Sequence, residues 1–109
     1  MASNDELIQK LRSFRDARDW DQFHNPKDLA LAINIEAGEL LEAFLWKEAS
    51  EADPNHVKEE LADVFTYAFL LADKLGLDVE SIVLEKMREN EKKYPVEKAK
   101  GTAKKYNQL

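Results

Sequence analysis

The stretch from Leu29 to Trp46 is apolar on almost every side of a helix, yet it contains three glutamates, two of which, Glu36 and Glu39, are three residues apart on its apolar part. A helix that has no polar face must be covered all round by other protein. A chain of 109 residues builds only a limited core and can hardly cover such a helix alone. We therefore expect copies of the chain to pack around it, which makes the protein at least a homodimer.

Helix start and stop signals divide the chain into helical segments, and no strand pattern is visible. Asn-Pro and Asp-Pro pairs mark two helix starts, and Gly76 marks a helix end. The signals predict an all-α protein with a single domain over residues 1–109 and a basic, loosely structured tail from about residue 96. Its four helices are expected from the Ser3 to Glu6 capping box until a point between Asp19 and Phe23, from about Lys27 to Glu48, from Asp53-Pro54 to Leu75, and from Asp78 to about Tyr94.

Composition excludes several classes of partner and site. The absence of cysteine removes disulfides, zinc–thiolate sites and thiol nucleophiles. The net charge of −6 argues against non-specific binding to nucleic acid, and no apolar run approaches a membrane span. Since the N-terminus also lacks the features of a secretory signal, we expect a cytoplasmic protein.

Charge is nevertheless distributed unevenly. Residues 86–109 hold eight Lys or Arg and three acids, a net charge of +5, which leaves −11 on the remainder. One interpretation is a basic tail paired with an acidic body. The other is that the acids hold a cation while the basic segment meets a polyanion, and charge alone does not separate the two.

Two consecutive predicted helices each carry a pair of acids three residues apart. Glu36 and Glu39 form one pair, Glu60 and Asp63 form the other, and each pair lies on or beside an apolar stripe. Burying an unpaired carboxylate costs several kcal/mol or raises its pKa until it is protonated. A divalent cation removes this penalty, and oxygen ligands favour Mg²⁺, or Mn²⁺, over zinc.

Simpler interpretations of the acids remain open. A single Glu-x-x-Glu pair in a chain with 22 acids is more often a solvated or salt-bridged face. A di-iron bundle would need Glu-x-x-His, and His56 instead falls at a helix start, where we expect it to be exposed. The apolar setting of both pairs, on helices expected to pack antiparallel, favours the metal site.

Aromatic side chains cluster in the joint before the apolar helix, where Trp20, Phe23 and His24 are found, and Trp46 is expected to end that helix. They either fill the core, as aromatics commonly do, or wall a slot in which a nucleobase stacks. The polar setting of Trp20 and His24 favours the second interpretation slightly.

Lys86, Asn90 and Lys93 share one face of the fourth helix and are followed by Tyr94. Two ammonium groups with an amide between them suit phosphate oxygens, although the spacing alone fits an ordinary surface stripe.

At these residues the sequence resembles the MazG-type all-α nucleoside triphosphate pyrophosphohydrolases, and most closely the short dCTP pyrophosphatase branch. The family signature, E-x-x-E followed by E-x-x-D, stands here inside EAGELLEAFLWK and EELADVFTY. The flanking segments RDWDQFHNPKDLALAI and KMRENEKKYP also resemble that branch. Two features depart from it: Leu11 stands where the family has a histidine, and the insertion between the second and third helices is shorter than in some members.

The resemblance implies a four-helix bundle assembled as a dimer, commonly a dimer of dimers. It implies that Mg²⁺ is held by Glu36, Glu39, Glu60 and Asp63. It further implies a base pocket formed by Trp20, His24 and Trp46. The phosphate side would be formed by Lys86, Asn90, Lys93 and Tyr94.

The expected function is therefore Mg²⁺-dependent cleavage of a nucleoside triphosphate, dCTP or a related deoxynucleotide, into the monophosphate and pyrophosphate. Glu39 or Glu36 is expected to activate the attacking water, and the biological role would be sanitation or control of the nucleotide pool. Two alternatives are a non-catalytic module that binds a nucleotide or a partner helix, and a purely structural helical oligomer.

Overall fold

The computed structural model describes residues 3–109, which form α-helices and short 3-10 turns and no strand. This confirms the predicted all-α class. None of the described helices is long and apolar enough to cross a membrane. The helices are α1 (Ser3–Ala17), α2 (Pro26–Glu42), α3 (Pro54–Lys74), α4 (Val79–Lys93) and α5 (Val96–Ala99), and the 3-10 turns are Asp21–Phe23, Ala49–Glu51 and Tyr106–Gln108.

The starts of three helices are fixed by side-chain caps, as the sequence predicts. Asn25, Asp53 and Asp78 each accept a hydrogen bond from a backbone N–H two or three residues further on, at 2.9–3.0 Å. Gly76 has a φ of +69° and stops the chain from continuing as a helix after α3. The capping contact expected of the Ser3 side chain lies outside the part of the chain that the structure describes.

The predicted end of α2 at Glu48 is wrong, because the helix ends at Glu42. The backbone then tightens into three-residue turns, in which the N–H groups of Phe44 and Leu45 donate three residues back. Trp46 follows with a φ of +62°, a left-handed conformation that a right-handed helix cannot contain. Trp46 is therefore part of the connection to α3 and not the last residue of α2.

Two further boundaries differ from the expectation. α1 ends at Ala17, before the 3-10 turn Asp21–Phe23, so the helix stops slightly earlier than predicted. The tail after Pro95 is more regular than predicted, because it contains α5 and the turn Tyr106–Gln108. The carbonyl of Pro95 starts α5 by accepting hydrogen bonds from two backbone N–H groups, at 2.9 and 3.0 Å.

The chain divides into two compact units, one ending at Gly76 and the other running from Leu77 to Leu109. In the first unit α3 packs against both α2 and α1. The His24 ring, before α2, lies beside Tyr67, whereas Glu36, later in α2, lies beside Glu60. Helices α2 and α3 therefore run antiparallel, as the sequence predicts.

The second unit is built around α4, none of whose side chains is buried in the described chain. Its tail folds back locally, so that the rings of Tyr94 and Tyr106 meet edge to face with centroids 6.1 Å apart. The Lys93 ammonium lies 5.0 Å from the centre of the Tyr106 ring, a cation–π contact.

An ion-pair network ties α1 to the C-terminal part of α3. The Arg12 guanidinium donates two hydrogen bonds to the Asp73 carboxylate, the one from Nε being 3.0 Å long. Arg15 approaches the same carboxylate at 4.0 Å. The Asp73 side chain is only 14% exposed, and its contact with Arg12 lowers its pKa below the ordinary value.

Asp73→Asn should lower the free energy of unfolding by about 1–2 kcal/mol at neutral pH, since a partly buried carboxylate loses charged hydrogen bonds. The pKa of Asp73 is lowered in the folded chain, so this stabilisation is present above its ordinary value of 3.8 and is lost as pH falls through the folded pKa. Urea unfolding at several pH values measures the difference. Glu89→Gln, at an exposed pair with Lys86, is the control and should change little; an equal loss in both variants would contradict the assignment.

Candidate active site

Carboxylates from two helices converge on one point of the first unit. Glu36 from α2 and Glu60 and Asp63 from α3 each offer an oxygen, and these three oxygens lie within 4.8 Å of one another. The antiparallel packing of α2 against α3 brings them together, since each residue lies on the side of its helix that meets the other. Three of the four acids predicted from the sequence therefore form one group.

Two of these carboxylates are partly out of water without a partner. Oε2 of Glu36 and Oε2 of Glu60 are buried, and neither has a hydrogen-bond donor among the described residues. Burial is the main cause that raises the pKa of Glu36 to about 7, and the neighbouring Glu39, Asp63 and Glu60 raise it further. Burial also raises the pKa of Glu60. Both shifts show that the protein alone leaves negative charge here uncompensated.

Glu39, the fourth predicted acid, lies at the edge of the group. Its side chain is exposed, and its hydrogen-bond contact and its charge both raise the pKa values of Glu36 and Glu60. Asp63 is also exposed, so the acids, predicted to lie on or beside apolar stripes, comprise two half-buried glutamates and two acids at the water boundary. This difference gives the site an open side.

His56 is exposed, as predicted, but it has a contact that the sequence analysis missed. Its Nε2 lies 3.4 Å from Oε1 of Glu60, one helical turn away. The i, i+4 spacing of these residues is the signal that would have revealed the contact. Because the contact occupies the other carboxylate oxygen of Glu60, the unpartnered Oε2 remains available.

The geometry and chemistry of the group fit a divalent cation. A cation among the three carboxylates would give the two orphaned oxygens a partner and reverse the repulsion that raises the pKa of Glu36. The set contains only oxygen ligands, which hard cations prefer, and Cys is absent from the chain. Three protein oxygens leave further coordination positions for water or for a ligand.

A cavity of about 300 Å³ adjoins the acids, and Asp63 belongs to both. Its wall is largely apolar and aromatic, and α1, the following turn and α3 all contribute to it. Burial and the charges of Glu36 and Asp63 raise the pKa of Tyr67, which shows how close the wall lies to the acids. The lining residues are Leu11, Phe14, Arg15, Trp20, His24, Asp63, Thr66, Tyr67 and Leu70.

Two of the aromatic residues predicted to line a base pocket are found in this cavity. Trp20 stacks edge-on against Phe14 with ring centroids 5.8 Å apart, and the His24 ring meets Tyr67 at 6.4 Å. Nδ1 of His24 is buried and has no hydrogen-bond partner among the described residues. Burial, assisted by the charge of Arg15, lowers the pKa of His24, so the imidazole is neutral at physiological pH.

Other predicted residues lie elsewhere. Trp46 is 95% exposed and does not line the cavity, and Phe23, also exposed, is likewise outside it. In the second unit, Lys86 and Asn90 share one shallow depression on α4, which confirms that they occupy the same face. Lys93 and Tyr94 take part in the local contacts with Tyr106 described above.

Several lining residues were not predicted from the sequence. Tyr67 follows Asp63 by four residues, so its helical spacing could have placed it on the acid-bearing face. Arg15 and Phe14 come from α1, and no local pattern links them to α3. Their contribution depends on how α1 packs, which a one-dimensional signal does not contain.

Residues 31–109 match the model of the MazG-like family. The chain belongs to the MazG-like family. The match contains all three converging carboxylates, whereas Trp20 and His24 lie before it. The matched range of this MazG-like chain thus includes the parts of α2 and α3 that carry the carboxylate group.

Named relatives agree with this assignment. The MazG-like chain is 40% identical over 113 aligned positions to dCTP pyrophosphatase 1 of Mus musculus and 39% identical to that of Homo sapiens, with 95% of the chain aligned. It spans 66% of the length of each of these relatives. A solved pyrophosphatase from Archaeoglobus fulgidus superposes with a TM-score of 0.79 at 43% identity, covering 84% of this chain and 91% of that one.

Glu36 should make the metal-free MazG-like protein less stable as pH rises from about 5 to about 8. Its pKa is raised from 4.5 to about 7, so the folded chain keeps a proton that the unfolded chain loses, and this advantage is gone above pH 7. Glu36→Gln should weaken the trend, by about 1–2 kcal/mol relative to the unsubstituted protein in chelator-treated denaturation, and the raised pKa of Glu60 should leave a smaller trend of the same sign. Adding a divalent cation should stabilise the unsubstituted protein more at pH 8 than at pH 5.

The pKa of His24 is lowered, so His24 makes the folded protein more stable as pH rises, opposite to Glu36. Because His24 is present in both proteins, comparing their pH profiles isolates the contribution of Glu36. Parallel pH profiles for Glu36→Gln and the unsubstituted chain would show that the Glu36 carboxylate is not shielded from water.

Proposed function

We propose that the protein is a Mg²⁺-dependent nucleoside triphosphate pyrophosphohydrolase, which releases a nucleoside monophosphate and pyrophosphate. The observation that carries the proposal is the position of Asp63, which belongs both to the carboxylate group and to the wall of the cavity. A cation centre suited to phosphates therefore adjoins an apolar recess suited to a base. The printed names of the relatives, dCTP pyrophosphatase 1 and pyrophosphatase, support the same reaction class.

Glu36, Glu60 and Asp63 would hold the Mg²⁺, with Glu39 beside them. Bound Mg²⁺ would neutralise charge on the triphosphate and on the departing pyrophosphate. Mg²⁺ usually keeps several waters and completes its shell with substrate phosphates, which agrees with the open side at Asp63. The half-buried glutamates then fix the position of the centre between α2 and α3.

Glu39 is the better candidate for activating the attacking water. It is exposed and contacts Glu36 and Glu60 at the edge of the group, so its carboxylate would face a water on the open side of the site. The water oxygen would bond to the α-phosphorus while the bond from that phosphorus to the bridging oxygen of the leaving pyrophosphate breaks. Glu36 remains the alternative, although its position within the cation site favours a role as ligand.

The cavity would receive the base. A volume of about 300 Å³ is at the lower end of ligand pockets and suits one ring system better than a whole nucleotide. Trp20 would stack on the base or close its edge, and the neutral His24 ring would contact it from the cavity wall. Preference for dCTP or a related deoxynucleotide is part of the proposal and is supported by the relatives' names. Leu11, which stands where the family has a histidine, lies in this wall. Because an apolar side chain replaces a polar one beside the proposed base, the base preference has to be measured.

Lys86, Asn90, Lys93 and Tyr94 are proposed to form the phosphate side, on the strength of the family resemblance. The shared depression at Lys86 and Asn90 supports a common role for these two residues. Their ammonium and amide groups would donate hydrogen bonds to the pyrophosphate oxygens.

A second copy of the chain is proposed to cover α2. Leu31, Ile35 and Leu41 on this helix are 50–68% exposed, and only Leu29 of α2 is buried. Apolar exposure on this scale is typical of an interaction surface. Trp46, held outward by its left-handed backbone, would then contact the partner copy and complete a base pocket there, in a homodimer or a homotetramer.

Glu39→Gln should lower the rate of pyrophosphate release by a factor of at least about 100, because the attacking water loses its proton acceptor. Helix content by circular dichroism should not change. The assay incubates the protein with Mg²⁺ and a panel of common and modified nucleoside triphosphates, followed by separation of the products. Glu42→Gln, one turn further along α2, is the matched control and should retain activity.

Release of orthophosphate in place of pyrophosphate would count against attack at the α-phosphorus. Nucleotide binding by calorimetry without any product over hours would favour the non-catalytic binding module.

Leu41→Glu should shift the protein from an oligomer towards a monomer, since it places a charge in the proposed interface. Light scattering after size exclusion measures the mass, and Leu41→Met provides the control that keeps the surface apolar. At 68% exposure within one chain, Leu41 contributes little to the fold of that chain. An unsubstituted protein that runs as a monomer at micromolar concentration would refute the proposed second copy.

A further inference from the structure

The turn that joins α1 to α2 is flanked by two of the aromatic residues that line the cavity, and few contacts hold it in place. Trp20 precedes the 3-10 turn Asp21–Phe23, and His24 follows it. Two backbone hydrogen bonds close the turn, from the N–H of Phe23 to the carbonyl of Trp20 and from the N–H of His24 to the carbonyl of Asp21. No residue of the turn itself is buried, and Phe23 is 63% exposed. The turn itself is therefore not held by burial, and the packing at its two ends is limited to the Trp20 ring on Phe14 and the His24 ring on Tyr67.

The side chain of Asp21 supplies the missing attachment. Its Oδ1 accepts a hydrogen bond of 2.7 Å from Nζ of Lys74, the last residue of α3. The same oxygen lies 3.3 Å from Nη1 of Arg15 in α1. One carboxylate oxygen thus ties the turn to both of the helices against which the cavity is formed. The hydrogen bond from Lys74 is the main cause that lowers the pKa of Asp21, so the carboxylate is ionised at neutral pH.

We propose that Asp21 is a positioning residue for base recognition, which acts by fixing the Trp20 and His24 rings against the cavity. The inference rests on the proposed function, because the cavity it serves is the one assigned there to the base. Asp21 itself does not line the cavity and does not touch the carboxylate group, so its effect is indirect. Arg15, which it contacts, does line the cavity.

An exposed ion pair usually stabilises a fold only slightly. If Asp21 had only this structural role, removing its carboxylate should have the same small effect as removing the carboxylate of another exposed acid nearby. The position of Asp21 argues for more, since it joins three elements at one oxygen while other acids nearby join fewer. Asp16 is the matched comparison: it also contacts Arg15, at 2.8 Å, but it belongs to α1 and its carboxylate makes no contact with the turn.

The proposal predicts a separation between recognition of the base and recognition of the phosphates. In Asp21→Ala, KM for a nucleoside triphosphate should rise about fivefold, which corresponds to about 1 kcal/mol. The inhibition constant of inorganic triphosphate, which has no base, should stay within about twofold, and kcat should change little. Asp21→Asn keeps an acceptor oxygen without the charge, so its KM should lie between those of the unsubstituted protein and Asp21→Ala. Asp16→Ala should leave KM, the inhibition constant and kcat unchanged.

A second measurement does not require turnover. In a Trp46→Phe background Trp20 is the only tryptophan, and its quenching by acrylamide reports how firmly the turn holds the ring. Asp21→Ala should increase this quenching, and Asp16→Ala should not. If Asp21→Ala does not fold, Lys74→Gln removes the shorter contact from the α3 side and should act in the same direction.

An unchanged KM in folded Asp21→Ala, or an equal rise in KM and in the inhibition constant of inorganic triphosphate, would overturn the inference. A protein that hydrolyses no nucleoside triphosphate would refute the proposed function instead. In that case the quenching of Trp20 still decides whether Asp21 holds the turn.

Discussion

Unpaired negative charge between α2 and α3 is the constraint on which the first unit depends. Oε2 of Glu36 and Oε2 of Glu60 are buried without donors, and the neighbouring acids raise the pKa of Glu36 to about 7. A fold selected only for stability would replace such groups with apolar side chains or pair them with bases. Their presence at a helix–helix contact fits the proposed cation site, where the stabilising partner would come from solution.

The cavity follows from the same helix pair. Because α3 contacts both α1 and α2, one of its faces presents Asp63 to the acids and Tyr67 to the recess. The apolar and aromatic wall excludes water from one side, while the exposed side of Asp63 stays open. The proposed sites for the phosphates and for the base are thereby placed next to one another by successive turns of one helix.

The turn between α1 and α2 illustrates how polar contacts replace packing at the edge of a small core. Trp20 and His24 approach the cavity from a segment too short and too exposed to be held by burial. Ion pairs from α1 and α3 take over that role through Asp21. The geometry of the recess therefore depends on charged residues that are far from it along the sequence, which links the electrostatics of the helix ends to the shape of the cavity.

The sequence by itself determined the all-α class, three helix starts and the two acid pairs, because caps, prolines and helical spacing act within a few residues of chain. Asn25 and Asp53 are cases in which a local side chain decides a helix start. Only the tertiary structure decided that α2 ends at Glu42, since Trp46 adopts a left-handed conformation that no glycine announces. It also decided that Glu39 lies at the exposed edge of the acid group and that Arg15 and Tyr67 line the same recess. These features arise from the packing of helices that are distant in sequence. The burial of a side chain and its distance from other charges depend on which helices lie next to each other, and the periodicity within one helix does not specify that.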